Sequence, residues 1–119
     1  MRPYVSWPAG FDIAPSKIAG YLLNVRGKSP KKAQWWLAQG FVLSQPADLM
    51  DVLYAHTTTL NFAGISIPQP RYWGHALIFE GQITTPAGLT PLVRTVWQVD
   101  YSTPMGQAGI AKLTTAHRI

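Results

Sequence analysis

The chain changes character at Thr57, and that switch limits the possible folds more than any other feature. Upstream, prolines open stretches with helical spacing. The segment S-P-K-K-A-Q-W-W-L-A-Q-G carries the fullest helix grammar, with Ser29 as N-cap, Pro30 in the first turn, Ala33, Trp36 and Leu37 as an inner stripe, and Gly40 as the stop. Pro15 opens a shorter helix through Leu23, with Ile18, Tyr21 and Leu22 at helical spacing. A third is predicted from Pro46 to about His56, capped by Ser44, with Leu49, Val52, Leu53 and His56 on one stripe. Downstream of Thr57 the texture is β-branched and aromatic, in runs divided by Pro and Gly at 68–70, 86–88 and 104–109. Helices followed by strands joined through short loops predict an α+β domain, two to three N-terminal helices packed on one face of a roughly four-stranded antiparallel sheet. The expected organisation is one domain over 1–119: an extended aromatic arm at 1–14 pinned by Tyr4, Trp7 and Phe11, a helical part at 15–57, and the sheet at 58–119.

The last run, A-K-L-T-T-A-H-R-I, mixes strand-forming residues with polar groups. Side chains of a regular strand alternate between faces, so Leu113, Thr115, His117 and Ile119 are expected on one side and Lys112, Thr114 and Arg118 on the other. That would set a hydroxyl and an imidazole on an apolar face. Uncompensated polar groups cost roughly 1–3 kcal/mol each to bury, so the pair is either satisfied by neighbours or held at the wall of a cleft.

Composition narrows the chemistry. The formal net charge is +5, from 10 Lys and Arg against only 5 Asp and Glu, which favours polyanionic partners, nucleic acid first. The absence of Cys removes disulfides, thiolate metal sites and cysteine nucleophiles. No apolar run reaches the roughly 18 residues that would span a bilayer, so no membrane partner is expected. Histidines are not spaced as a chelating pair, and no G-x-S-x-G, Walker loop or paired acidic motif occurs, so neither metal nor cofactor is implied. Cleavage of RNA by its own 2′-hydroxyl needs none of these; it needs a proton acceptor, cations for the phosphate and a proton donor for the leaving oxygen.

Several residues fit such roles. Arg26, Lys28, Lys31 and Lys32 crowd the end of the first helix and the first turn of the Ser29 helix, where positive charge opposes the helix dipole and is better explained by an anion; the alternative is an ordinary solvated basic turn. Arg94, in a strand of Val, Thr and Trp, calls for a carboxylate or phosphate, or else lies along the surface beside a Trp. Among the histidines, His75 shares parity with Leu77 and Phe79 and reads as structural, and His56 ends an apolar stripe as a core imidazole or a helix-end charge. His117, beside Thr115 near the end of the last strand, is the best placed to move protons.

The strings K-I-A-G-Y-L-L-N, K-A-Q-W-W-L-A-Q-G-F, the leucine-rich helix ending in His56, L-V-R-T-V-W and the final L-T-T-A-H together resemble a bacterial domain of unassigned function. That family occurs at the tails of polymorphic toxins and phage-related proteins, and its closing strands are similar to those of the barnase, EndoU, colicin and RelE group of small ribonucleases. The resemblance covers most of residues 13–117 and marks Lys32, His56, Arg94 and Thr115; where the family has a tyrosine after T-A, this chain has His117. It implies a metal-independent endoribonuclease of toxin type. His117 or His56 would be acid or base, Arg94 and Lys32 would clamp the phosphate, and Thr115 would orient it or the imidazole. Arg26, Lys28, Lys31, Trp35 and Trp73 would hold RNA by charge and stacking. The implied partners are RNA and an acidic immunity protein or antitoxin, with action in the cytoplasm and delivery, if exported, by a larger carrier. The rival reading is a non-catalytic basic module that binds nucleic acid or a partner protein.

Overall fold

A computed structural model describes residues 7–66, 75–99 and 109–119; Tyr4 and Trp73 lie outside them. In chain order the elements are β1 (Gly10–Asp12), α1 (Pro15–Lys17) running into a π-helical turn (Ile18–Leu22), α2 (Pro30–Ala38), α3 (Pro46–Ala55), β2 (Phe62–Ser66), β3 (His75–Gln82), β4 (Leu92–Val99) and β5 (Ile110–Arg118). The strands form one sheet in the order β1-β5-β4-β3-β2. All neighbours are antiparallel except β1, which runs parallel to β5. The expected α+β architecture is therefore present, with five strands rather than four. The extra strand comes from the N-terminal arm, where Gly10, Phe11 and Asp12 pair with Ile110, Ala111 and Lys112. Trp7 and Phe11 do anchor the arm, through edge-on contacts with Phe62, Phe79 and Trp97.

Each helix begins on its proline, which fixes φ and lacks the N–H that a first turn leaves unbonded. Two details differ from expectation. Gln45, not Ser44, occupies the cap position of α3, and neither Gln45 nor Ser29 makes a side-chain cap bond, so the prolines rather than the caps define these starts. The first helix also widens after one turn: the Leu23 N–H bonds to the Ile18 carbonyl five residues back. This register buries Ile18, Leu22 and Leu23 while leaving Tyr21 half-exposed. Gly40 ends α2 at φ 97°, and a Cβ there would lie 2.7 Å from the Ala87 amide nitrogen, so only glycine admits the turn that follows β3.

The core lies between the helices and one face of the sheet. Leu77 and Phe79 of β3, Val93, Thr95, Trp97 and Val99 of β4, and Ala111, Leu113 and Ala116 of β5 meet Ile18, Leu22, Trp36, Leu49 and Leu53. On β5 the alternation breaks. Val96 pairs with Thr115 but Trp97 pairs with Leu113, so Thr114 is the extra residue of a β-bulge. The expected grouping of Leu113, Thr115 and His117 on one face is thus incorrect. Leu113 and Ala116 point into the core, while Thr115 and His117 pair with Val96 and Arg94 on the other face. The bulge spares the core two polar groups that a regular strand would have buried.

Candidate functional site

β1 covers β5 only as far as Lys112, and beyond the bulge α1 and α2 approach β5 along its side. The Trp36 indole N–H donates to the Ala116 carbonyl at 3.1 Å, which ties α2 to β5. Four residues earlier on α2, Lys32 is half-buried, and its ammonium donates to Tyr21 Oη at 2.7 Å and Thr115 Oγ1 at 2.8 Å. The two hydroxyls are themselves 3.0 Å apart, closing a triangle. Lys17 donates to the Thr114 carbonyl, and its ammonium lies 5.6 Å from the centre of the Tyr21 ring. Burial alone would raise the Tyr21 phenol pKa, but hydrogen bonds from Lys32 and Thr115 and the charges of Lys32 and Lys17 outweigh it, leaving the phenol more acidic than usual.

Around the edge of β5 from this triangle, Ser29, Lys31, Lys32, Trp35, His117 and Arg118 line an open cleft of about 410 Å³. Among the described residues its walls carry three fixed cations and no carboxylate. The first turn of α2 also contains no acidic residue to offset the positive end of its helix dipole. The His117 imidazole is held below its usual pKa, first by burial and then by the charges of Lys32 and Arg94, with Glu80 opposing them. It is therefore neutral near pH 7 and able to accept a proton.

Arg94 stands beside His117 in a cross-strand row of Glu80, Arg94 and His117. Both its Nε (3.1 Å) and Nη2 (2.7 Å) donate to the same oxygen, Glu80 Oε2. Arg94 has thus found one of the chain's few carboxylates, while the pair stays partly exposed, at 41% and 33%. Such a pair holds the guanidinium in place more than it stabilises the fold.

Of the residues named from sequence, Lys32, Thr115 and His117 come together, Arg94 adjoins them, and Lys31 and Trp35 line the same cleft. Arg26 and Lys28 are exposed in the turn leading to α2, outside the lining. His56 lies apart. It is 2% exposed on the core face, where Nε2 donates to the carbonyls of Gly81 (3.1 Å) and Val93 (3.0 Å) and Nδ1 accepts from the Thr95 hydroxyl at 2.9 Å. The Trp97 indole N–H in turn donates to Thr95. Every polar atom of the imidazole is occupied, so it links α3 to β3 and β4. Sequence reasoning misses Tyr21 and Glu80. Helical spacing assigns Tyr21 to an apolar stripe, and its place in the Y-L-L-N string is the one signal that could have marked it. Among the described residues no three of His, Cys, Asp and Glu cluster to hold a metal ion, and no helix is long and apolar enough to cross a membrane.

Burial lowers the His56 pKa below 6.5, with its two carbonyl partners opposing the shift. Below pH 6.5 the unfolded chain takes up this proton first, so the contribution of neutral His56 to stability is complete above that pH and lost as pH falls toward the folded-state value. The expected result is a urea midpoint that declines below pH 6.5 more steeply in the wild type than in His56→Gln. Equal slopes would contradict the neutral, fully bonded imidazole.

Fold and site together define a small α+β domain with a cationic cleft between a helix N-terminus and the last strand. The chain belongs to the family described as a domain of unknown function, DUF6883, whose model matches residues 10–118. No curated protein matches the sequence. Among solved structures, the fold is similar to that of a chain from a contact-dependent growth inhibition toxin–immunity protein complex of Klebsiella pneumoniae 342. The TM-score is 0.65 at 16% identity, covering 88% of this chain and 96% of that one.

Proposed function

We propose that the protein is a toxin-type endoribonuclease that cleaves RNA without a metal, by attack of the 2′-hydroxyl on the adjacent phosphorus. The observation that carries this reading is the meeting of Lys32 and His117 at one cationic cleft, with Thr115 bonded to the Lys32 ammonium at 2.8 Å, from parts of the chain more than 80 residues apart. Neutral His117 takes the 2′-hydroxyl proton. Lys32 holds the non-bridging oxygens as negative charge develops on them, and Arg94, steadied by Glu80, adds a second cation at the rim. Thr115 fixes the Lys32 ammonium. Lys31, Arg118 and the N–H groups of the first turn of α2 attract the flanking phosphates, and Trp35 offers a face on which a base can stack. The fold likeness to a chain of a toxin–immunity complex supports a toxin role and an immunity protein as partner. An acidic surface would complement this cleft. RNA places the action in the cytoplasm, with delivery by a larger carrier.

The test is incubation of purified protein with total RNA in EDTA, followed by analysis of the new ends. Cleavage leaving 2′,3′-cyclic phosphate and 5′-hydroxyl ends is expected, with His117→Ala slower by about 100-fold or more. Intact RNA, or undiminished cleavage by His117→Ala, would remove the enzymatic reading and leave a basic binding module.

A further inference from the structure

In the proposed reaction His117 takes the attacking proton, but the departing 5′-oxygen still needs one. An alkoxide is too basic to leave unaided near neutral pH, so a second group must supply it. Resting on the ribonuclease reading and extending it, we propose that Tyr21 is that group, donating its phenolic proton to the 5′-oxygen as the P–O5′ bond breaks.

Lys32, Thr115 and Tyr21 form the triangle that makes this possible. Lys32 donates to both hydroxyl oxygens, at 2.7 and 2.8 Å, so a phosphate held by this ammonium sits beside the Tyr21 phenol. The 3.0 Å contact between Tyr21 Oη and Thr115 Oγ1 can run in either direction. With the phenol protonated, Tyr21 donates to Thr115. Once the proton has left, a turn of the Thr115 hydroxyl lets it donate to the phenolate instead, and no heavy atom moves. Two cations attend that phenolate: Lys32, hydrogen-bonded to it, and Lys17, over its ring. The site is therefore arranged for both protonation states of Tyr21. The greater acidity of this phenol agrees with the role, because it gives up its proton more readily than an ordinary tyrosine. The π-helical turn is what aims it there, burying Ile18 and Leu22 while Tyr21 stays at the edge of β5.

The step balances. The 2′-oxygen to phosphorus bond forms and its proton passes to His117; the P–O5′ bond breaks and the Tyr21 proton passes to O5′. The products are a 2′,3′-cyclic phosphate and a 5′-hydroxyl, with His117 protonated and Tyr21 ionised, and exchange with water restores both.

The test uses Tyr21→Phe and two forms of one RNA oligonucleotide: the natural one, and one with sulfur in place of the bridging 5′-oxygen at the cut site. A thiolate leaves without a proton. Tyr21→Phe is expected to cut the natural RNA about 100-fold more slowly than wild type does and the sulfur-containing RNA at nearly the wild-type rate. The second result also shows that the variant is folded and binds. An equal loss on both substrates would make Tyr21 a positioning or structural residue, and no loss on either would remove it from the reaction; each overturns the assignment and leaves the ribonuclease reading standing. Failure of the wild type to cut the natural RNA would overturn both.

Discussion

Lys32→Ala is expected to lower the rate of RNA cleavage by about 1,000-fold, the upper end of what one positioned donor to a developing anion contributes. The size follows from the number of things this ammonium does at once. It is the cation nearest the phosphate in the proposed reaction, the shared donor to Tyr21 and Thr115, and one of the two charges that help burial keep His117 neutral. Arginine is not a substitute, because a planar fork of donors cannot occupy the point between two hydroxyls that a rotating ammonium fills. Lys32→Arg is expected to stay within about tenfold of the alanine variant, while both keep the wild-type fold, since Lys32 is only half-buried. Single-turnover cleavage of a defined oligonucleotide beside a circular dichroism melt measures both quantities. A Lys32→Ala enzyme within a few-fold of wild type would mean that the cleft is not the reacting centre.

The largest expected loss of stability is at Trp36. This side chain is wholly buried in the last turn of α2, packs edge-on against Trp35 and Phe41 at 4.8 and 5.7 Å, and donates its indole N–H to the Ala116 carbonyl. Trp36→Ala removes the packing, leaves a cavity and deprives that carbonyl of its donor. Large aromatic to alanine changes in cores cost about 3–5 kcal/mol. A domain whose total stability is roughly 5–15 kcal/mol would keep only about 0–2 kcal/mol at the lower end of that range, with up to about half of the molecules unfolded. Trp36→Phe separates the two contributions, since it keeps most of the packing and loses only the hydrogen bond, for about 1–2 kcal/mol. Urea unfolding of the two variants gives the comparison. An alanine variant no less stable than the phenylalanine variant would show that α2 is not held to β5 by this residue.

Trp36 also illustrates which features are legible in the sequence. The proline, the Ala33–Trp36–Leu37 spacing and the closing glycine of its helix are local signals, and they place its ends and its buried face correctly. The passage from helices to strands at Thr57 is equally local and yields the α+β class. Features that depend on residues far apart in the chain are not legible in this way. Gly10–Asp12 is three residues of no strong propensity and becomes a strand only because β5 offers it an edge. The Thr114 bulge reverses the faces of Thr115 and His117, and a count of alternating residues assumes that no such insertion occurs. His56 looks chemically available because two of its three partners are backbone carbonyls of β3 and β4, which carry no trace in a string of side chains, and the third, Thr95, is 39 residues away. Tyr21 is hidden differently: one residue's shift in helical register separates a core position from a half-exposed one.

The pairing of β1 with β5 joins positions a hundred residues apart, Gly10 with Ile110. Loop-closure entropy makes such a contact slow to form and dependent on most of the chain being in place. Tyr21, Lys32, Thr115 and His117 all gather at β5, so the cleft has no precursor in a partly made or partly threaded chain. On the ribonuclease reading proposed above, a chain built this way would stay inert while it is being synthesised and would become active only once β5 has docked.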